Sequence, residues 1–258
     1  MRLDKYLQSK FNLKSRTYAE NLVKTGCVSV DGKIASKTSL DVDDSSKVEI
    51  LGDENFASQG AFKLEKAFED FSLDVQGKLC ADIGCSNGGF TDSLLRHGAK
   101  HIIAVDVAEC QLPIDLKNNP NVVVRDKINA RYLTEEVLGE KVDFVTVDVS
   151  FISLKLVLLP IKSVLKEDGK IVALIKPQFE IGHRASKSGI VTSVSDRLKA
   201  VSDVVEFAKS IGLGLLDVCA VPRFFENKNV EYTALFENIV PGKKYLTDLT
   251  KEFLNNVE

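Results

Sequence analysis

The chain has 258 residues, 44% hydrophobic and 28% charged, with a net charge of −3. That make-up fits a soluble globular protein large enough to bury a sizeable core, as one large domain or as a small one joined to a medium one. No run approaches 18 apolar residues and the start, "MRLDKYLQSK", has no apolar stretch, so neither a membrane span nor ordinary secretion is expected.

Charge is polarised along the chain. The first 40 residues hold eight Lys or Arg against three acids, a net of +5, while "DVDDSSKVEILGDEN" reverses the sign. Residues 1 to about 51 read as a small α+β module, only marginally stable at that size. It has two short helices ("LDKYLQSKF" and "SRTYAENLVKTG") followed by short strands ("CVSVDG" and "KVEIL"). Ser15 is placed to cap the second helix and Gly26 to end it. The polar, glycine-bearing "GDENFASQGAF" reads as a linker, so residues 1–59 form the small module with its linker and 60–258 the larger domain.

From Leu79 onward apolar runs alternate with amphipathic stretches. "KLCADIG", "HIIAVDV", "NVVVRD", "DFVTVDVS" and "KIVALIKP" are near-continuously apolar, as strands of a parallel sheet covered on both faces are. "GGFTDSLLRHG", "CQLPIDLKNN", "RYLTEEVLG" and "SLKLVLLPIKSVLK" read as the helices between them. A long helix from roughly Ser195 to Ser210 leads to "LGLLDVCAV" and "NVEYTALF". These last two strands are joined by only about eight residues, too few for a crossover, so an antiparallel hairpin is expected. The expected fold class is α/β, a mostly parallel seven-stranded sheet with one reversed strand.

The five cysteines (Cys27, Cys80, Cys85, Cys110, Cys219) are odd in number, contain no CxxC pair and sit mostly among apolar neighbours. Buried thiols in a reducing cytoplasm are expected, not disulfides or zinc. The three histidines, His97, His101 and His183, are scattered, so no metal is expected.

Four of the five parallel strands end on or near an ionisable residue: Asp82, Asp106, Asp148 and Lys176. The C-terminal ends of parallel strands share one edge, where open α/β folds carry their ligand site. A glycine loop, "DIGCSNGGF", opens at the first of these ends, and its spacing is not the GxGxxG of a dinucleotide fold. Asp82 before the first glycine disfavours a pyrophosphate and suits a cationic group such as an α-ammonium. Gly84, Gly88 and Gly89 let the backbone approach a ligand, and the helix start at Gly88 can receive a carboxylate. Asp106, 22 residues after Gly84, is placed to accept hydrogen bonds from ribose hydroxyls. A ligand with an amino-acid end and a ribose is S-adenosylmethionine. Ser86 and Phe90 of the same loop, Val107 beside Asp106, and Asn129 beyond the third strand complete the expected cofactor contacts.

With those residues in hand, the chain resembles the TlyA family, bacterial ribosomal RNA 2′-O-methyltransferases that often carry the name hemolysin. "GAFKLEKAFEDF", "DIGCSNGGFTDSLLRHGA", "AVDVAECQL", "VDVSFISL", "IKPQFEIG" and "NVEY" look like its signatures, in its order, over almost the whole length. The resemblance implies a Rossmann-like domain similar to the FtsJ class, whose site is a Lys-Asp-Lys-Glu tetrad. Those four match Lys63, Asp148, Lys176 and Glu231. The N-terminal "RLDKYL" and "KSRTYAENLVKTGCVSVDGK" resemble an S4 domain, an RNA-binding module. Its expected RNA contacts are Arg2, Lys14, Ser15, Arg16, Lys24 and Lys33, which agrees with the +5 segment; phosphate contacts of that kind give position and affinity. Gln59 stands where the family usually has Arg, and the turn before the last Glu reads "RFFENKNVEY" instead of the usual glycine-rich one.

The resemblance implies methyl transfer from S-adenosylmethionine to a ribose 2′-hydroxyl, in a cytidine of 16S or 23S ribosomal RNA within ribosomal subunits. Lys176 is the implied base. An ordinary lysine is protonated at neutral pH, so that role needs surroundings that favour the neutral amine. Asp148 and Glu231 oppose that and are expected to orient the two lysines. The basic loop "GHRASKSG" reads equally as a segment that closes over RNA and as an ordinary solvated loop. A carbon methyltransferase would want a Pro-Cys pair, which none of the five cysteines has. The alternatives are a membrane-active hemolysin-like protein and an RNA-binding protein without catalysis. A monomer and a dimer are equally compatible with these expectations.

Overall fold

The computed structural model describes residues 1–13, 15–24, 27–35, 37–50, 56–58, 60–182, 189–221 and 228–246, with only the backbone of Asn21 and Lys24. Lys14, Gly26, Gln59, the turn residues 223–227 and residues 183–188 of the "GHRASKSG" loop lie outside the described residues. The chain divides into two compact units, with the main boundary between Gln59 and Gly60.

In the first unit, helices α1 (Leu3–Lys10) and α2 (Arg16–Lys24) accompany an antiparallel sheet of order β2-β1-β3. The strands are β1 (Val28–Val30), β2 (Lys33–Ile34) and β3 (Val48–Ile50). Ser15 caps α2, its hydroxyl accepting the Tyr18 N–H at 3.1 Å. β2 has no counterpart in the sequence expectation. It follows a tight turn in which Asp31 and Gly32 both take positive φ, 52° and 76°, the requirement of a two-residue hairpin. Leu3, Leu7, Ala19, Val23 and Val28 are fully buried and form the small core.

The second unit opens on α3 (Gly60–Phe71), so "GAF" belongs to a helix and not to the linker. Its seven-stranded sheet has the order β6-β5-β4-β7-β8-β10-β9. The strands are β4 (Leu79–Ile83), β5 (His101–Val105), β6 (Val122–Arg125), β7 (Val142–Val147), β8 (Leu165–Ile175), β9 (Leu213–Val221) and β10 (Glu231–Asn238). β4 to β8 pair in parallel, and β10 runs antiparallel to both β8 and β9. The strand order reverses at β4, between β5 and β7, where an open α/β sheet places its ligand crevice.

Alternation along the strands feeds two cores. Ala81, Ile103, Val145 and Ala173 point to the layer holding α7 (Leu158–Ser163) and α9 (Val194–Ser210). Cys80, Ile102, Phe144 and Val172 point to the layer of α3 and α4 (Gly89–Arg96). The remaining connections are shorter than the sequence pattern suggests. "CQLPIDLKNN" yields one turn, α5 (Ile114–Lys117), because Pro113 cannot donate and stands before it. "RYLTEEVLG" splits into a 3₁₀ turn (Ala130–Tyr132) and α6 (Glu135–Leu138). The end of "SLKLVLLPIKSVLK" is drawn into β8, where Leu165 pairs with Val142.

Candidate active site

The site lies on the carboxyl edge of the large sheet. A cavity of about 410 Å³ opens there, lined by the ends of β4, β5 and β7. Gly84, Ser86, Asp106, Val107, Asn129 and Asp148 all line it. Gly84 takes φ +87°, and a β-carbon on it would stand 2.5 Å from the Asp148 carbonyl oxygen, so only glycine fits where the loop passes β7. Asp106 pins the loops on both sides of the cavity, accepting the Ser86 N–H at 2.9 Å and the Ala108 N–H at 2.9 Å. Asn129 caps the 3₁₀ turn through its Oδ1, which accepts the Arg131 N–H at 3.1 Å.

Four expected cofactor residues, Asp82, Gly88, Gly89 and Phe90, sit behind this surface. Asp82 is fully buried and does not line the cavity. Its carboxylate accepts the Thr91 hydroxyl at 2.7 Å and the Thr146 hydroxyl at 2.9 Å. Burial drives its carboxyl up to about 7 against the pull of those two donors. Phe90 packs with Leu64, Phe68 and Leu94 in the core, not on the cavity wall. Gly88, at φ +82°, has Leu112 and Leu116 at 3.0 Å from where a β-carbon would be, and Gly89 begins α4. These residues shape the loop from inside.

The four tetrad positions come together from four separate elements. The Lys176 ammonium, at the end of β8, lies 2.6 Å from Asp148 Oδ1 and donates to the Ser150 hydroxyl at 2.8 Å. Lys63 on α3 donates to Glu231 Oε2 at 2.6 Å and lies 3.9 Å from Asp148 Oδ2. A chain of alternating charge, Lys176-Asp148-Lys63-Glu231, results. Burial disfavours the Lys63 ammonium, but Asp148 and Glu231 outweigh it and raise its pKa. Lys176 itself is 7% exposed. Among the described residues no group of three or more His, Cys, Asp or Glu side chains could hold a metal, and no helix is long and apolar enough to cross a membrane.

The sequence as a whole matches known families. A model described as FtsJ-like methyltransferase fits residues 56–237, and one described as S4 domain fits residues 1–48. The chain belongs to the FtsJ-like methyltransferase family. It is 40% identical to the 16S/23S rRNA (cytidine-2′-O)-methyltransferase TlyA of Mycobacterium tuberculosis, over 90% of this chain and 87% of that one. Hemolysin A of Brachyspira hyodysenteriae is 36% identical, over 92% and 99% of the two chains. A solved structure described as a hemolysin from Streptococcus thermophilus superposes with a TM-score of 0.71 at 33% identity, covering 92% of this chain and 88% of that one.

Several residues at this site are not singled out by the sequence pattern. Ser150 shares Lys176, and Arg131, Ile128 and Ile152 line the cavity. Phe151 is 90% exposed at the cavity and takes φ +63°, a left-handed backbone that aromatics avoid. Ser150 and Phe151 stand inside the quoted "VDVSFISL", which was the available signal.

In the S4 unit the expected RNA contacts divide. Arg2 and Arg16 both bond the fully buried Asp4, each through two guanidinium nitrogens at 2.8–3.1 Å. The Arg2 hydrogen bond leads in holding the Asp4 carboxyl far below the carboxylate range, with Arg16 and the Lys5 N–H adding to it. These arginines build the unit, leaving their outer edges half-exposed. Lys33 is exposed on β2.

Proposed function

We propose that this chain transfers a methyl group from S-adenosylmethionine to the ribose 2′-hydroxyl of a cytidine in ribosomal RNA, acting on ribosomal subunits in the cytoplasm. The observation that carries this is the charge chain of Lys176, Asp148, Lys63 and Glu231 closing beside a cavity with a glycine wall and a carboxylate floor. The printed names of the relatives supply the ribosomal RNA and the cytidine.

The residues fit the cofactor. Gly84 lets the loop pass directly against the Asp148 backbone along the cavity wall, Asp106 offers acceptor lone pairs, and Val107 and Ile128 give an apolar wall for an adenine. Bound there, S-adenosylmethionine supplies a methyl group on a sulfonium. The protein's own part is alignment and proton handling. Lys176 Nζ, having first released a proton to become the neutral amine, accepts the 2′-hydroxyl proton and returns to the ammonium. Asp148 and Ser150 fix where Nζ sits, and Lys63, held by Glu231, keeps Asp148 from turning away. Phe151, exposed beside this group, offers a flat apolar face on which an unstacked base can rest.

The deciding test is transfer of labelled methyl from S-adenosylmethionine to separated small and large subunits from cells lacking this gene. Label in the ribose of a cytidine is expected. A protein that binds the subunits tightly but leaves both unlabelled would instead be an RNA-binding protein without catalysis.

A further inference from the structure

A loop leaves β7 and a one-turn helix, α8 (Pro177–Glu180), leaves the neighbouring end of β8, and the two are joined at three points. Lys176 bonds back to Asp148 and Ser150. The Phe179 ring lies 5.2 Å from that of Phe151, tilted by 46°. Glu180 then accepts the Ser153 hydroxyl at 2.5 Å through Oε2 and the Leu154 N–H at 2.8 Å through Oε1. The spacing is regular: residues 148, 151 and 153–154 face 176, 179 and 180.

Between the first and third of these points the chain does something costly. Phe151 holds a left-handed backbone although its ring is almost wholly exposed, so burial of its own side chain cannot repay the strain. The constraint must come from the flanks. Upstream, Asp148 is anchored by both lysines and by its own N–H to the Ile83 carbonyl at 3.0 Å. Downstream, the anchor is Glu180. Its carboxylate is largely withdrawn from water, and burial pushes its pKa up against the two donors. Among the described residues both of its hydrogen bonds go to the neighbouring loop. A carboxylate placed at that cost and bonded to the loop that carries Asp148, Ser150 and Phe151 acts on that loop's shape.

We propose that Glu180 is a positioning residue for methyl transfer: it fixes the far end of the Asp148–Ser153 loop and so keeps Asp148, Ser150 and Phe151 in register with Lys176. The inference rests on the methyltransferase reading above and deepens it. Without the bracket the loop relaxes toward ordinary backbone angles, and a shift of about 1 Å at the reacting groups is worth about 10²-fold in rate. Cofactor contacts on the β4 and β5 side stay in place.

The test uses the full chain and four variants: Glu180→Ala, Glu180→Gln, Ser153→Ala and the Glu180→Ala/Ser153→Ala double. Glu180→Ala is expected to lower kcat on ribosomal subunits by about 10- to 100-fold, with S-adenosylmethionine Kd within about 3-fold of wild type, since the Glu180 bonds do not touch the Gly84 and Asp106 side. Glu180→Gln should recover most of the rate, because its carbonyl still accepts from Leu154 and its amide can donate to the Ser153 oxygen. The double variant should be no worse than Glu180→Ala, as expected when two residues share one bond. A lower melting temperature with normal kcat in Glu180→Ala, or losses that simply add in the double, would overturn the proposal and leave Glu180 a cap on the 3₁₀ turn Leu154–Leu156. If Glu180→Ala does not fold, Ser153→Ala decides: it also loses the cap on the Lys155 N–H, so it should melt only slightly below wild type yet show a reduced kcat, and an unchanged kcat overturns the idea. Should wild-type protein methylate neither subunit, the methyltransferase reading fails first and this proposal falls with it.

Discussion

Gly84 and Asp148 touch backbone to backbone: a β-carbon on Gly84 would lie 2.5 Å from the Asp148 carbonyl oxygen and 2.9 Å from its carbonyl carbon. The Gly84 loop is therefore seated on the backbone at the upstream anchor of the Asp148–Ser153 loop. Gly84→Ala would have to displace the Asp148 peptide, and φ +87° adds strain of about 1–2 kcal/mol for any residue with a β-carbon. The expected outcome is loss of cofactor affinity together with a fall in transfer rate of about 10²-fold or more. Calorimetry and methyl transfer check it; a variant normal in both would show that the contact yields freely.

Lys176→Ala is expected to abolish transfer while sparing cofactor and RNA binding, a general base being worth roughly 10² to 10⁴-fold. Lys176→Arg should fail as well, because a guanidinium stays protonated and cannot accept the hydroxyl proton. Single-turnover rates decide between roles. Near-normal activity in Lys176→Arg would mean that the site needs a fixed positive charge at this point and that the proton leaves by another route.

Asp82 makes stability depend on pH. Its carboxyl is pushed up by burial to about 7 in the folded protein, against an ordinary 3.8, with the nearby Asp148 charge adding to the push. A raised carboxyl stabilises the fold fully below its unfolded value and loses that contribution as pH rises to the folded one. Between pH 5 and 7 the wild type should therefore lose stability relative to Asp82→Asn, by up to about 1.4 kcal/mol per pH unit, and the difference should level off above that. Urea unfolding of the cofactor-free proteins at four pH values measures it. A difference that is flat with pH would mean that Asp82 stays ionised, or stays neutral, throughout.

In the S4 unit, Arg16 and Lys33 should behave differently although both are basic. Arg16→Ala removes two bonds to the buried Asp4 and a contact to Glu20, so it should lower the melting temperature of this unit as well as RNA affinity. Lys33→Ala should leave melting unchanged. If Lys33 meets a phosphate, its loss lowers the slope of log affinity against log salt by about 0.7 to 0.9. Filter binding to ribosomal subunits across a salt series separates the two, and an unchanged slope for Lys33→Ala removes it from the RNA face.

Much of this protein was legible in the order of its residues. Apolar runs of strand length alternating with amphipathic stretches determine a parallel sheet, because a strand covered on both faces must be apolar throughout. The polar residues that end such runs, Asp82, Asp106, Asp148 and Lys176, must then share one edge. Folding decided the rest. Alternation turns Asp82 to the same face as Cys80, where Thr91 and Thr146 enclose it, so a carboxylate at a strand end became an interior one. Lys63 and Glu231 meet across 168 positions because β10 pairs with β8 and α3 covers that side of the sheet, and no local pattern encodes such a closure. Leu165 left a helical pattern to pair with Val142, since a ladder bond in the sheet outweighs a weak local propensity. Asp4, one acid in a basic segment, gathers Arg2 and Arg16 around itself, a structural pairing that the charge count does not reveal. Local sequence determines which groups can be polar, apolar or strained. Only the packed chain determines which of them meet, because burial and pairing are properties of neighbours that are distant in sequence.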